Sequence, residues 1–595
     1  MTDTFLSRPL LLPCLLGATL ALAGCGGSSN NPPPPVAKGD PLYEFQWHLK
    51  NTGQTSFSSA AGIPGFDLNV ETLFNAGSHG RGVKVLVLDD GIDIRHEDLA
   101  ANVDHTMLQN FDPKAKDVND PMPLSSYDSH GIAVAGIIGA AANNGLGGRG
   151  VAPGIALGSI NFLCSECMTT EKTILAYGGA PYSAGAWVIN ASYGQNPTAP
   201  VPVDIDTDAK MRAIRGFANM RDGKGIVMVK SAGNEFLRIG PEEGGFEEDQ
   251  CGPARQHGLS CEIPAFDEES VMPQVVTVAA VNARGVKSSY SSAGSSILVS
   301  GLGGESGYAA PKNPYEAGPA IITTDLPGCD RGESRRNPRD PHDNDFENPD
   351  SEIGKKYNAD CNYTSLMGGT SSAAPTVTGV VALMLEANPK LTWRDLRLIL
   401  AKTSRKIDEN HQPIQLALSG GTYVAEPGWT KNAAGLWFHN WYGYGLVDAA
   451  AAVAMAKSYG SYLPGGQQLD SGWLGSYSGR PVPVGDPNGL TDSITFADKR
   501  TIEAVQIRVT FDGDGRLGDL GIELVSPSGT RSVLMTAHNV FQTSETVVDL
   551  PLMSNAFNEE SAAGVWTLRV VDVNGRQDAG KQALLRNWSL RVLGR

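Results

Sequence analysis

The chain has 595 residues, a formal net charge of −17 and 41% hydrophobic residues. This length is too great for one compact core, so we expect two folded units plus tails. The negative charge argues against nucleic acid or an anionic membrane surface as a charge-driven partner, and we predict no nucleic-acid binding. It suits a secreted protein that binds cations.

The N-terminal residues predict export. Arg8 precedes the apolar run PLLLPCLLGATLALAG, which is too short for a stable membrane anchor. The run ends in LAGC, which resembles the bacterial lipobox, so we expect a lipoprotein signal peptide over 1–24 and lipidation of Cys25. The alternative is an ordinary secretion signal. The Gly/Ser- and Pro-rich run over 25–39 predicts a tether. We expect attachment to the cell envelope by lipid alone, and Gly26 favours the outer membrane because it is not the aspartate associated with inner-membrane retention.

The rest of the chain divides by pattern. Over 40–460, short apolar runs alternate with helix-like segments, which predicts a parallel α/β sheet covered on both faces. Residues 461–492 are rich in Gly, Pro and Ser and predict a linker. Over 493–595 the runs are short and alternating and are separated by turn residues, which predicts an all-β sandwich.

Three segments carry residues that suit nucleophilic catalysis. VLVLDDGID ends an apolar strand at Asp89, DSHGIAVAG has His130 at a helix start, and GGTSSAAP has Ser371 at another helix start. Each alone is more often a turn, a surface residue or a helix cap. Together, in the order Asp, His, Ser, they match an orienting carboxylate, a base and a nucleophile.

These segments, with INASYG and SAGNE, resemble the blocks of the subtilisin-like serine peptidase family, and the likeness covers roughly residues 40–457. The doublet Asp89-Asp90, the segment DPLYEFQWHL and the tail WYGYGLVDAAAAV resemble the kexin/furin branch. The C-terminal segments RLGDLGIELVSPSGT and AGVWTLRVVDV resemble the P domain of that branch. The resemblance implies a subtilisin-like doubly wound parallel sheet followed by an all-β jelly-roll sandwich.

The resemblance also implies residue roles. Asp89 would orient the imidazole, His130 would act as general base, and Ser371 would be the nucleophile. Ser372 takes a variable position and is not expected to react. Asn234 in SAGNE would donate to the oxyanion. The substrate backbone would pair with Ser192, Tyr193 and Gly194.

Substrate preference is left open by the sequence. An acidic run that selects basic P1 residues in furin-like members is missing, and Pro197 stands near the expected aspartate. The acidic segment over 239–249 could supply carboxylates instead, or could be only a solvated loop. A preference for basic P1 residues is therefore one expectation among several.

Calcium is the expected ion, because hard oxygen ligands define its sites. AANNGLGGRGVAP, residues 141–153, resembles the family's main calcium loop, and the alternative is a glycine-rich turn. The ligands implied by the resemblance are Asp40, Asp98, Ala141, Asn144, Leu146 and Gly148.

Six cysteines follow the export signal, and an even count in an exported chain favours disulfides. They are Cys164, Cys167, Cys251, Cys261, Cys329 and Cys361. Pairing between neighbours is the simplest of about fifteen connectivities. The first two could instead form a redox pair or half of a metal site. The polar segment 329–361 predicts a surface loop.

The sequence thus predicts an exported, calcium-binding serine endopeptidase that acts on proteins and peptides as a monomer. Since the family's prodomain would not fit between Cys25 and residue 40, folding is expected to be unaided or helped by a chaperone in trans. One alternative is a non-catalytic surface lipoprotein that uses the fold as a binding module. Another is an enzyme held latent by the loop 329–361, with processing at Arg335-Arg336.

Overall fold

The computed structural model describes residues 39–595 except 165, 196, 202, 237–250, 337–342, 466–467, 514, 542 and 575–581. The predicted signal peptide, Cys25, nearly all of the tether and the acidic segment 239–249 lie outside the described residues. From Lys38 to Arg595 the chain forms one compact unit.

Helices occur mainly in the first 460 residues. The α-helices are α1 Glu71–Asn75, α2 His130–Gly139, α3 Thr170–Ile174, α4 Pro181–Ala184, α5 Ala209–Gly216, α6 Met220–Gly223, α7 Gly252–His257, α8 Glu352–Tyr357, α9 Thr370–Ala387, α10 Trp393–Thr403 and α11 Ala449–Ser458. A π-helical turn covers Leu175–Gly179, and short 3-10 turns cover Tyr43–Phe45, Ala100–Asn102, Phe217–Asn219, Pro264–Phe266, Glu268–Val271, Pro314–Glu316 and Leu517–Asp519.

Strands occur on both sides of residue 460. The first 460 residues contain β1 Lys84–Asp89, β2 Val103–Asn110, β3 Ala156–Asn161, β4 Val188–Ala191, β5 Val227–Ser231, β6 Val275–Val281, β7 Ile297–Leu302, β8 Ile321–Thr324, β9 Tyr363–Met367, β10 Ile414–Leu418, β11 Gly421–Glu426, β12 Thr430–Lys431 and β13 Trp437–Phe438. The remaining residues contain β14 Leu469–Asp470, β15 Leu474–Pro481, β16 Leu490–Phe496, β17 Ile502–Gly513, β18 Leu520–Val525, β19 Arg531–Met535, β20 Val547–Ser554, β21 Gly564–Asp572 and β22 Ala583–Gly594.

The first seven strands form a parallel sheet in the order β2-β3-β1-β4-β5-β6-β7. Strand β1 lies between β3 and β4, so the winding direction changes beside it. Ligand sites of doubly wound sheets form at such a point, outside the carboxyl ends of the strands. The predicted doubly wound parallel sheet is therefore confirmed, and Asp89 ends the strand beside which the winding changes.

Both faces of this sheet are buried, as its unbroken apolar strands predict. Val85 and Val87 face a core that includes α2 and α9. Leu86 and Leu88 face the opposite core, which contains side chains of α5. Helix α9 is buried almost all round, so its first turn is held rigidly against the sheet.

The C-terminal part is a β-sandwich. One sheet has the order β14-β22-β17-β20 with β15 also paired to β22, and the other has the order β16-β21-β18-β19. Trp566 and Trp588 are buried between inward-facing apolar residues. The predicted all-β domain is confirmed as a fold.

The segment 461–492 differs from the predicted linker, because β14, β15 and the start of β16 lie within it. Most side chains of β15 are exposed, which explains its polar and glycine-rich composition. The strand is fixed by backbone pairing with β22, and such pairing leaves no trace in an alternating hydrophobic pattern.

The sandwich joins the α/β part through apolar and ionic contacts. The rings of Phe266 and Phe541 lie 3.9 Å apart between centroids. The guanidinium of Arg397 is buried and donates to Asn555 Oδ1 at 2.8 Å. Gln506 donates to the Val271 carbonyl at 2.6 Å. Among the described residues, no helix has both the length and the apolar composition needed to cross a bilayer.

Candidate active site

Asp89 and His130 meet at the carboxyl edge of the sheet, because one ends β1 and the other begins α2. Asp89 Oδ1 lies 2.7 Å from His130 Nδ1, and the carboxylate is fully buried. An imidazole held by a carboxylate at Nδ1 presents Nε2 for proton transfer. The pair therefore has the geometry of an oriented general base.

The electrostatics of His130 follow from the same contact. Burial lowers the pKa of His130, but the charge and hydrogen bond of Asp89, together with the charge of Asp90, outweigh burial and raise the pKa above that of a free imidazole. The side chain keeps 36% of its solvent exposure, so water screens part of this effect.

Asp90, the second aspartate of the doublet, holds the start of α2. Its Oδ2 accepts from the backbone N–H of His130 at 3.0 Å and its Oδ1 from that of Gly131 at 2.7 Å. These are donors that a helix start leaves without partners. A side chain at position 131 would meet the Gly91 carbonyl oxygen at 2.4 Å, so only glycine fits between the doublet and the helix. Asp90 thus fixes the backbone that carries His130.

Ser371 lies in the first turn of α9, beside the substrate-strand candidate Ser192. Pro375 has no N–H, so it leaves the Ser371 carbonyl, four residues earlier, without its helical partner. Ser192 Oγ donates to that carbonyl at 2.9 Å. In return, Ser371 Oγ donates to the Ser192 carbonyl at 3.0 Å. The two serines are thus held face to face.

Ser372 differs from its neighbour in exposure and in contacts. Its side chain is fully buried, and its Oγ lies 2.9 Å from the Gly369 carbonyl and 3.0 Å from the Gly303 carbonyl. Ser371 remains partly exposed. Of the two hydroxyls, only that of Ser371 can meet a substrate.

Asn234 lies on the loop after β5 and contacts the turn before Ser371. Its Oδ1 accepts from the N–H of Thr370 at 2.8 Å and from Thr370 Oγ1 at 2.9 Å. Thr370 Oγ1 also accepts from the N–H of Gly233 at 3.1 Å. Asn234 Nδ2 makes no hydrogen bond to any described residue and lies toward Gly369. An amide held by its oxygen presents N–H donors without reorganisation.

Tyr290 was missed by the sequence analysis. Its hydroxyl lies within 3.0 Å of the carbonyls of Gly303 and Gly304, and it accepts from the N–H of Gly369 at 2.9 Å. Gly369 has φ +88°, a conformation that favours glycine. Tyr290 thus fixes the turn that presents Ser371. No local motif marks it, because its partners are distant in sequence.

Ser192, Tyr193 and Gly194 continue β4 beyond the sheet. In an extended segment, successive carbonyls face opposite edges. The Ser192 carbonyl faces Ser371, whereas the Tyr193 carbonyl accepts from Lys230 at 2.6 Å on the other side. The edge that carries Ser192 and Gly194 therefore remains available for a second extended chain.

An acidic cluster lies behind this segment. Asp267, Glu268 and Glu269 are buried, and they contact the ammonium groups of Lys210 and Lys230. Burial raises the pKa of Glu269, but the charges of Lys230 and Lys210 outweigh burial and lower it to about 2. The sequence analysis missed this cluster. A lysine inside the buried strand VMVKS was the available signal, because lysine is almost never fully buried unless it is paired.

A cavity of about 280 Å³ adjoins the cluster. Its lining includes Gly194, Gln195, Tyr193, Asp267 and Glu269. It therefore adjoins residues 193–195 on the side of the acidic cluster.

The predicted calcium ligands converge from three segments. Asp98 Oδ1 accepts from Asn144 Nδ2 at 2.7 Å, and the Asp98 carbonyl accepts from the N–H of Ala141 at 2.8 Å. Asp40 lies with its Oδ2 2.6 Å from Arg149. The other oxygen of each carboxylate, Asp40 Oδ1 and Asp98 Oδ2, is buried without a hydrogen-bonding side chain or backbone group recorded among the described residues.

The backbone near Leu146 and Gly148 is tightly held. The N–H of Leu146 donates to Asn144 Oδ1 at 2.9 Å, and a side chain at Gly148 would meet Gln46 at 2.7 Å. Orphaned carboxylate oxygens in a rigid loop fit a hard cation. In the part of the chain that the structure describes, no group of three or more His, Cys, Asp or Glu side chains is gathered as a metal cluster.

All six cysteines that follow the export signal pair with their neighbours. The bonds are Cys164–Cys167, Cys251–Cys261 and Cys329–Cys361. The first pair is therefore a disulfide here rather than half of a metal site.

The segment 329–361 was predicted as a surface loop and is instead packed, in its described residues, against the α/β part. Phe346 and Glu347 are fully buried. Glu347 accepts from the N–H of Ser365 at 2.6 Å. Arg335, 9% exposed, donates to the Ser126 carbonyl at 3.3 Å, which leaves only Arg336 exposed for processing. This packing could not be recognised from the sequence, because the polar residues of the segment bind backbone groups and carboxylates of distant segments.

The chain matches two family profiles. The subtilase family profile covers residues 80–445, and that of the proprotein convertase P-domain covers 502–592. The chain is 36% identical to the Aeromonas extracellular serine protease of Aeromonas sobria, over 96% of this chain and 93% of that protein. It is 31% identical to human neuroendocrine convertase 2, over 93% of this chain and 74% of that protein.

A solved structure agrees with these matches. The Aeromonas sobria serine protease, in complex with the chaperone ORF2, superimposes with a TM-score of 0.83 at 33% identity, over 94% of this chain and 95% of that chain. The chain therefore belongs to the subtilase family of serine endopeptidases and carries a convertase-type P domain after its catalytic domain.

Proposed function

We propose that this peptidase is exported and cleaves proteins through a Ser371 acyl-enzyme, with His130 as general base, Asp89 as its orienting carboxylate and Asn234 as oxyanion donor. One observation supports bringing these groups together: β1 pairs with β4 through Leu88 and Ala191, so Asp89 lies beside Ser192, whose carbonyl accepts from Ser371. A fold used only for binding needs neither an oriented imidazole nor a pre-positioned amide.

The proposed reaction begins when the substrate N–H replaces the Ser371 hydroxyl on the Ser192 carbonyl. Ser371 then turns toward His130 Nε2; apo structures often lack this hydrogen bond. The Ser371 oxygen bonds to the scissile carbon while Nε2 takes its proton, and Asn234 Nδ2 donates to the oxyanion. The C–N bond breaks as His130 returns the proton to the amine. A water molecule then attacks the acyl-enzyme in the same way, with His130 as its base, and releases the carboxylic acid product and free Ser371.

The test is covalent labelling by a fluorophosphonate. We expect one label per chain in the wild type and in Ser372→Ala, and none in Ser371→Ala. Label that persists in Ser371→Ala would refute the assignment of the nucleophile, and absence of label from the correctly folded wild type would favour a latent or binding-only protein.

A preference for basic P1 residues is part of this proposal. Asp267, Glu268 and Glu269 outnumber Lys210 and Lys230 beside the substrate strand, so one negative charge is in excess. The test compares peptides that differ only in Arg, Lys, Leu or Glu at P1. A higher kcat/KM for Leu than for Arg would contradict it.

Calcium binding is proposed at Asp40, Asp98 and Asn144, with backbone oxygens of Ala141, Leu146 and Gly148. The two carboxylates exceed the single charge of Arg149, and their unpartnered oxygens support a cation there. The ion would tie the start of the catalytic domain to the loop 141–148 and take no part in bond cleavage. Chelation should lower the melting temperature of the wild type, and Asp98→Asn should abolish that response. An unchanged melting temperature after chelation would refute the site.

The proposal also includes lipid attachment at Cys25 and folding assisted by a chaperone in trans. The Aeromonas sobria relative is an extracellular serine protease, and one of its solved structures is a complex with a chaperone, which supports export and assistance in trans. Palmitate labelling that is lost in Cys25→Ala tests the anchor. Fully active enzyme obtained from this gene alone would contradict the need for a helper.

A further inference from the structure

Lys230 lies on β5, in a strand whose other residues are Val, Met, Val and Ser. Its side chain is 1% exposed, yet it carries an ammonium group. The Nζ atom lies 3.1 Å from Asp267 Oδ2, 3.1 Å from Glu269 Oε2 and 2.6 Å from the Tyr193 carbonyl. Its third contact is therefore made to Tyr193, within the segment 192–194 that is proposed to pair with the substrate.

The partners of Lys230 hold the same segment at further points. Asp267 Oδ2 also accepts from the N–H of Gln195 at 3.1 Å. The Tyr193 and Tyr177 hydroxyls lie 2.9 Å apart, and the Tyr177 hydroxyl donates to Glu269 Oε1 at 2.5 Å. Residues 193–195 are thus fixed through a carbonyl, a phenol and an N–H, all linked to one ammonium group.

Only one edge of this segment remains for substrate. The Ser192 carbonyl faces Ser371, so alternation turns the Tyr193 carbonyl away, where Lys230 receives it. Without Lys230 the Tyr193 carbonyl would keep only the longer hydrogen bond from Ser231 Oγ at 3.4 Å, and rotation of the 193–194 peptide toward another donor would displace the substrate edge. A hydrogen bond from a charged donor opposes this rotation more strongly than a neutral one.

We infer that Lys230 is a positioning residue that aligns the Ser192–Gly194 edge for the backbone of an extended peptide substrate. The inference rests on the proposed function. Lys230 touches neither the substrate nor the reacting atoms, so it should affect recognition of extended substrates and spare the chemistry of the acyl transfer.

The test separates these effects with two substrates. One is a peptide that spans P4 to P1, and the other is a small acetate ester that makes no contact along the strand; fluorophosphonate titration gives the active concentration. Lys230→Met should lower kcat/KM for the peptide about 10- to 100-fold, mostly through KM, and change ester turnover by less than about threefold.

A second variant guards against misfolding, because Lys230→Met leaves two buried carboxylates without their cation. Lys230→Met with Asp267→Asn and Glu269→Gln removes the link to the Tyr193 carbonyl without leaving those two carboxylates unpaired, and it keeps neutral acceptors for Gln195 and Tyr177; the peptide carries Leu at P1, so that the lost charges do not act on a charged P1 side chain. It should reproduce the loss for the peptide. Lys402→Met is the matched control, since Lys402 forms an ion pair with Glu559 at 2.8 Å and belongs to neither the acidic cluster nor the substrate edge.

Equal losses for the peptide and the ester, or no loss for either, in a titrated and folded triple variant would overturn the inference. Failure of the proposed function would look different, because the wild type itself would then take up no fluorophosphonate.

Discussion

At the scale of single residues, we expect Asp89 to control the pH at which His130 acts as a base in the proposed mechanism. The neutral imidazole accepts the proton, so activity appears as pH rises through the pKa of His130. Because the charge of Asp89 raises that pKa against burial, we expect the acidic limb of kcat/KM to have its midpoint above 6.5.

In Asp89→Asn the charge of Asp89 no longer opposes the effect of burial, so the pKa of His130 should fall. The residual rate of fluorophosphonate labelling should therefore reach its maximum at a lower pH than in the wild type. The rate at the optimum should fall about 10⁴-fold, because the imidazole loses the carboxylate that holds it in the productive tautomer. If the acidic limb of the pH–rate profile has the same midpoint in the wild type and in Asp89→Asn, another group sets the pH dependence.

Asn234 is expected to act through a single side-chain amide, which donates to the oxyanion in the proposed mechanism. Asn234→Ala should lower kcat about 10²- to 10³-fold with little change in KM, because the oxyanion exists only after attack. Thr370→Val, which removes the hydroxyl that fixes the Asn234 oxygen, should cause a smaller loss. Steady-state kinetics on one peptide check both, and a loss confined to KM in Asn234→Ala would refute the role.

At the scale of elements, the start of α2 determines where His130 lies. Asp90→Ala should cost about 1–2 kcal/mol in unfolding free energy, because two N–H groups lose their acceptor. It should also lower kcat/KM by an amount that the loss of folded protein does not explain.

The matched control is Asp448→Ala, which removes the cap of α11 through its bond with Ala451. It should destabilise the protein similarly and leave kcat/KM unchanged. Denaturant unfolding and kinetics measure both quantities. Equal activity in the two variants would show that Asp90 serves stability alone.

At the scale of the whole molecule, the P domain and the catalytic domain should unfold together. Phe541→Ala should lower the melting temperature in a single transition, because Phe541 packs on Phe266 across the junction and such a truncation costs about 3–5 kcal/mol. Removal of residues 470–595 should lower it further. Tyr477→Ala, at a side chain that is 78% exposed, is the control. A P domain that melts separately while the catalytic domain is unaffected would contradict this coupling.

Sequence reasoning reached the parts of the site that rest on local chemistry. The order of Asp89, His130 and Ser371, the strand–helix alternation and the pairing of neighbouring cysteines all follow from short segments. The glycine turn before Ser371 also follows from residues within one segment, whereas the choice of Ser371 over Ser372 came from the family resemblance.

The sequence by itself thus indicated the fold class, because hydrophobic periodicity acts over a few residues, and its resemblance to a known family indicated the candidate nucleophile and its base. Only the tertiary structure decided that Lys230 holds the Tyr193 carbonyl, that Tyr290 fixes Gly369, that β15 completes a sheet and that the segment 329–361 is packed. Each of these depends on contacts between segments that are far apart in the chain, and their polar residues resemble solvated loops until a buried partner is known.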